Sequence, residues 1–104
     1  MNPFKVDFNS MAWESNREGA RFKLYREGSR QIRLVEFTSG DVSLHWCDVG
    51  HIGFVLSGAL EIEFSEKVVP YSEGDGIFIP AGKSSAHRAS SITPGTRLVM
   101  VEEV

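Results

Sequence analysis

Four side chains in this sequence carry the chemistry to hold a transition metal. His45, Cys47 and His51 are gathered in the stretch HWCDVGH, and His87 follows in PAGKSSAHRAS. They are all of the histidines and the single cysteine of the chain. Imidazole nitrogen and thiolate sulfur suit Zn, Fe, Ni or Cu better than Mg or Ca, which take oxygen. Three neutral histidines with one thiolate would close a zinc site, whereas three ligands would leave a place for water or substrate. Each residue also has a plain reading. Cys47 can be a small buried apolar residue, His51 a hydrogen-bonded residue near a turn, and His87 a loop histidine in water. Only convergence on one centre separates the two readings, and that depends on the elements carrying them.

Those elements read as strands. From Arg21 onward the pattern has period two: Phe22 and Leu24 alternate with Arg21 and Lys23, and Ile32 and Leu34 alternate with Gln31 and Arg33. VSLHWC, HIGFVLSG, ALEIEF, KVVPY, DGIFIP and TRLVMVEE follow, many of them separated by Gly, Pro, Ser or Asp. Short alternating segments at this spacing predict an all-β sandwich or barrel. Before Arg21, FKVDF alternates like a short edge strand, a helical turn fits Met11 to Ser15, and NREG reads as a turn. In DVSLHWC, alternation puts Val42, Leu44 and Trp46 on one face and Ser43, His45 and Cys47 on the other. Gly50 permits a bend before His51. His87 reaches the same centre only if the sheet closes on itself.

With these residues in place, the sequence resembles the cupin superfamily, whose first motif reads G-x5-H-x-H-x3-4-E-x6-G. Gly40, His45, Cys47, His51 and Gly58 occupy those places, Gly40 standing one residue nearer to His45 than the pattern has it. Of the second motif, G-x5-P-x-G-x2-H-x3-N, Gly74, Pro80 and Gly82 match in register. Ser85 stands at the histidine place, His87 comes two residues later, and no Asn follows. The chain is most similar to single-domain bacterial cupins with a His-Trp-Cys stretch, a subgroup named for a DHCW motif, although Leu44 stands where that name puts an acid. The resemblance implies a double-stranded β-helix, a jelly-roll-like barrel of antiparallel strands. It implies one domain over residues 1–104, with 1–20 as an arm or edge strand and 21–104 as the barrel. It also implies a metal held by His45, Cys47, His51 and His87, zinc first, with iron or nickel as further choices. The substituted ligands are still metal ligands, which argues against a site that has lost its ion. Either His87 or Ser85 completes the set.

Other residues carry less. Phe54 and Phe78 are expected to pack the barrel or narrow its entrance, beside Ser85. Glu61 and Glu63 share a strand face and read as solvated. Arg21, Lys23, Arg26, Arg30 and Arg33 form a basic group that would either hold a small anion or face water paired with acids. Gly74 and Gly76 make no phosphate loop, because no helix follows.

Composition sets outer limits. At 104 residues there is room for one domain, and a net charge of −3 offers no basic field to nucleic acid. No apolar run is long enough to span a membrane. MNPFKVDFNS lacks a signal-type apolar core, and one cysteine makes no internal disulfide, so a cytoplasmic setting is expected. Small cupins are mostly dimers, and the face of Val42, Leu44 and Trp46 is the expected contact between two copies. The function expected is a metal-binding cupin, either an enzyme on a small polar molecule or a non-catalytic binding or sensing module. A metal-free cupin is the third reading.

Overall fold

A computed structural model describes residues 4–41 and 45–103. The described residues form nine strands: β1 (Glu14–Arg17), β2 (Ala20–Glu27), β3 (Arg30–Phe37), β4 (His51–Ser57), β5 (Ala59–Phe64), β6 (Val68–Ser72), β7 (Gly76–Ile79), β8 (His87–Ile92) and β9 (Arg97–Glu103). Two 3-10 turns, Phe8–Ser10 and Lys83–Ser85, are the helical elements among the described residues. The strands form a six-stranded sheet, β1-β2-β3-β9-β4-β7, and a three-stranded one, β6-β5-β8, with every pairing antiparallel. This is the all-β architecture that the period-two pattern requires.

The first twenty residues differ from the sequence reading. FKVDF forms no strand, and Phe8–Ser10 is a 3-10 turn. The segment fitted by a helical turn instead runs into β1. Tertiary contacts decide this. Lys23 is buried, and its Nζ donates to the Phe8 carbonyl at 2.8 Å. The Trp13 ring lies against the cationic groups of Arg21 (4.3 Å) and Lys23 (4.7 Å).

The β2–β3 hairpin turns through Gly28-Ser29, with Glu27 opposite Arg30 and Gly28 at φ +60°. A positive φ at the first of two loop residues matches the right-handed twist of the flanking strands. Inside, Val55, Leu60, Ile62, Ile77, Ile79, Ile92, Leu98 and Met100 form one apolar core between the sheets. Alternation then sends their neighbours outward. Phe54 and Phe78, expected to pack the barrel, lie 43% and 76% exposed beside inward-facing Val55, Ile77 and Ile79. The register of β4 with β7 and β9 fixes this phase, because Ile52 stands opposite both Phe78 and Val101.

Most of the basic group on β2 and β3 is partnered. Arg21 Nε and Arg97 Nε donate to the two carboxylate oxygens of Glu36 at 2.7 and 2.6 Å. Arg26 bonds Gln31, and Arg33 reaches Glu102. No helix among the described residues is long and apolar enough to cross a membrane.

Candidate metal centre

Cys47 and His87 meet across an isolated antiparallel bridge. Each backbone N–H donates to the other's carbonyl, at 2.8 and 2.9 Å. Directly opposed residues project to one face, so the thiol and the imidazole stand side by side. The two residues that the sequence leaves over at this point are taken up by the 3-10 turn Lys83–Ser85. That turn lets His87 begin β8 opposite Cys47. Ser85, the alternative ligand, ends the turn and contributes its carbonyl, which accepts from His87 Nδ1 at 3.0 Å.

His51 opens β4. The bend before it is tight: a Cβ on Gly50 would stand 2.9 Å from the Ala81 nitrogen and 3.1 Å from the Ile79 carbonyl oxygen. Glycine therefore lets residues 48–50 pass close to Pro80–Gly82, where the Gly82 N–H donates to the Asp48 carbonyl at 2.9 Å. The His51 and His87 rings lie edge to face with centroids 5.0 Å apart. One ligand-type atom from each of Cys47, His51 and His87 falls within 4.8 Å of the other two. His45 is not in this group and is exposed. Of the face assigned to dimer contact, Val42 and Leu44 lie outside the described residues, as does Ser43. Trp46 is 46% exposed, with the Arg88 guanidinium 4.7 Å over its ring. Glu63, read as solvated, accepts from Arg88 Nε at 3.0 Å.

The sequence reading missed Glu102. It is 5% exposed on β9, and its Oε2 lies 2.6 Å from His51 Nδ1. The approach is close but poorly aligned for a hydrogen bond, and the buried Nδ1 has no other partner among the described residues. Gln31 Nε2 donates to Oε1 at 2.8 Å, and an Arg33 terminal nitrogen donates to Oε2 at 2.8 Å. Burial pushes the Glu102 carboxyl up. The His51 contact, the Gln31 hydrogen bond and the Arg33 charge outweigh burial and hold it at about 2. A signal for it exists in the sequence: in RLVMVEE, Glu102 falls in the inward phase of Leu98 and Met100.

His87 is buried, and its pKa lies below the ordinary value. Burial lowers it, the Ser85 carbonyl raises it, the His51 charge lowers it, and Asp48 raises it. A carbonyl only accepts, so His87 Nδ1 carries the proton, and in the neutral ring Nε2 keeps its lone pair. Soft and borderline donors with one imidazole nitrogen committed elsewhere are the donor chemistry of a transition-metal site. The residues present fit the ion that the sequence motif implies. A cleft of about 570 Å³, bordered by His51, Ile52, Phe78, Pro80, Ala81 and Glu102, opens at this end of the larger sheet. Phe54 does not border it.

A small antiparallel β-barrel with a cluster of His and Cys at one end defines a class of protein. The chain belongs to the cupin family: the family's "Cupin domain" model matches residues 33–102. Among solved structures, it is similar to KdgF from a Halomonas species (22% identity, TM-score 0.76, 91% of this chain against 89% of that one). It is also similar to an RmlC-like cupin from Shewanella frigidimarina (15%, TM-score 0.77, 94% against 87%). A third is a sugar phosphate isomerase of the cupin superfamily from Silicibacter pomeroyi (19%, TM-score 0.76, 96% against 75%). At these identities the likeness shows the fold alone. No curated protein matches the chain.

Proposed function

We propose that this cupin domain binds one divalent transition-metal ion through the Cys47 thiolate and one imidazole nitrogen each of His51 and His87. Zinc is the first choice, with iron or nickel as the others. The observation that carries this reading is the gathering of three ligand-type atoms, from two separate segments of the chain, within 4.8 Å of one another. Three protein donors leave an ion with a place for water or substrate. A bound ion would supply Lewis-acid polarisation of a small polar molecule and acidify a bound water. The chain's own part is to hold donors and exclude water. The Cys47–His87 bridge fixes two donors relative to each other, and Phe64 covers His87 at 6.0 Å between ring centroids. A closed, non-catalytic centre would need a fourth protein ligand. His45 stands outside the group, which favours the open, enzymatic reading.

Elemental analysis of protein purified without an affinity tag or chelator should find about one equivalent of metal per chain. The Cys47→Ser, His51→Ala double variant should lose it while keeping the circular dichroism of the parent. Metal below about a tenth of an equivalent in the parent, or full metal in the folded double variant, overturns the assignment.

We also propose that the partner of this chain is a second copy, met through the outer face of the larger sheet. Register places Tyr25, Ile32, Val101, Ile52 and Phe78 in one row across five adjacent strands. Ile52, Phe78 and Val101 are 53%, 76% and 44% exposed. A copy turned about a two-fold axis at Val101 lays this row on itself, Phe78 over the partner's Tyr25 and Ile52 over the partner's Ile32. That self-complementarity is what an isologous dimer requires. Light scattering at micromolar concentration should give a dimer, and Ile52→Ser with Phe78→Ser should give a monomer. A monomeric parent, or a dimeric double variant, rules this face out.

A further inference from the structure

We infer that Glu102, clamped by Gln31 and Arg33, is the positioning residue for His51: it holds the proton on Nδ1 and so turns the Nε2 lone pair toward Cys47 and His87. This rests on the metal-binding reading above and adds to it a residue outside the cupin ligand motif.

The geometry comes from one cross-strand row on the inner face of the larger sheet. Gln31 stands opposite Glu102 on β3 and β9, and the Ile52–Val101 pairing of β4 with β9 brings His51 beside Glu102. Both Glu102 oxygens are engaged, Oε1 by Gln31 and Oε2 by Arg33 and His51 Nδ1. A carboxylate in that setting only accepts, so an approach of 2.6 Å is favourable only with the proton on Nδ1. Among the described residues the buried Nδ1 has no other partner. With Glu102 removed it would be an unsatisfied donor, and the ring would be free to change tautomer or turn. The clamp itself stays in place without the metal. Gln31 and Arg33 reach the carboxylate from β3, a strand that contributes no donor to the centre, so Glu102 is oriented whether or not the ion is bound.

The two histidines of the centre are thus oriented by different devices. His87 donates to a neutral backbone carbonyl in its own turn. His51 faces an ionised side chain supplied by a distant strand. Acceptors of this kind fix the tautomer of a ligating imidazole and raise its basicity, and losing one typically lowers metal affinity by about 10–100-fold. The carboxylate that the trio lacks stands one residue behind it.

The test uses Glu102→Gln, which keeps the shape and removes the charge. In the metal-free protein, at a pH where both rings are neutral, imidazole 15N spectra should show His51 in the single Nδ1–H form. In Glu102→Gln, His51 should become a tautomer mixture, while the His87 signals, held by Ser85, stay unchanged. Zinc affinity, measured by competition with a chromophoric chelator, should fall about 10–100-fold. If Glu102→Gln fails to fold, Gln31→Leu, which removes only the bond to Oε1, should shift both readouts in the same sense by a smaller factor. A wild-type His51 protonated on Nε2 overturns the inference. So does a folded variant with unchanged tautomer and unchanged zinc affinity. A wild-type protein that binds no zinc, iron or nickel sinks the metal reading instead, and the tautomer spectra still decide the role of Glu102.

Discussion

Acidification of the metal-free protein should cost it about 3 kcal/mol through Glu102 alone as the pH falls from 4.5 to about 2. The folded carboxyl titrates at about 2, against an ordinary 4.5. Between those values the unfolded chain binds a proton that the folded chain does not. The contribution is therefore complete above pH 4.5 and is lost as the pH falls through the folded value. His87 adds an earlier step of the same sign. Burial keeps its ring neutral, so the unfolded state gains a proton first as the pH falls through 6.5. Glu36 is also lowered. Burial raises it, but Arg97 and Arg21 outweigh that, and its loss falls in the carboxylate range. Urea midpoints measured from pH 7 to pH 2 in the presence of a chelator should show these stages. Glu102→Gln should flatten the limb below pH 4.5 and leave the His87 stage in place. It should also be less stable at neutral pH, because the half-buried Arg33 then keeps its charge without the counter-charge beside it. Identical acid limbs in the two proteins would show that Glu102 is not held ionised by its neighbours.

How much of this centre can be read in the sequence depends on how local each constraint is. Cys47, His51 and His87 are legible because the Gly and Pro framework from Gly50 to Gly82 fixes the bends that bring them together. His45 illustrates the limit of alternation. Period two puts it on the same face as Cys47, but faces are defined by a ladder, and Cys47 sits in a single bridge. The choice between Ser85 and His87 needs the 3-10 turn, and KSS carries no helical period to announce it. Glu102 is the furthest from sequence reach. Its phase in β9 marks it as inward-facing, yet the groups that make a buried carboxylate tolerable are separated from it by 69 and 71 positions. Nothing local says that β3 and β4 flank β9. The same non-local order hides the outer row of Ile32, Val101, Ile52 and Phe78. Phe54 and Phe78 look like core residues by type, and only the register shows that Val55, Ile77 and Ile79 hold the inner phase.

The strand rhythm, by contrast, is read almost completely from Arg21 onward, and one framework glycine carries the other large expected effect. Gly58→Ala should destabilise the domain by about 3 kcal/mol or more, a large part of the 5–15 kcal/mol typical of a folded domain. Two costs combine. Gly58 joins β4 to β5 at φ +84°, where a side chain adds about 1–3 kcal/mol of strain. A Cβ there would also collide with the Thr96 hydroxyl and stand 2.7 Å from its Cα and 2.9 Å from its Cβ. Thr96 has no exposed surface, and its hydroxyl accepts from the Ala59 N–H and lies 2.6 Å from the Thr93 carbonyl oxygen. It cannot move aside without releasing the turns that lead into β5 and β9. Gly74 isolates the first cost. It has φ +92° with nothing within 4 Å of the added carbon, so Gly74→Ala should lose only the strain, about 1–3 kcal/mol. Denaturant midpoints of the two variants should differ accordingly, and equal losses would remove Thr96 from the explanation. Gly58 lies at the far end of β4 from His51, so the portion of Gly58→Ala that stays folded should bind metal as the parent does. The stability of the barrel and the affinity of its centre are therefore set at opposite ends of the same strand.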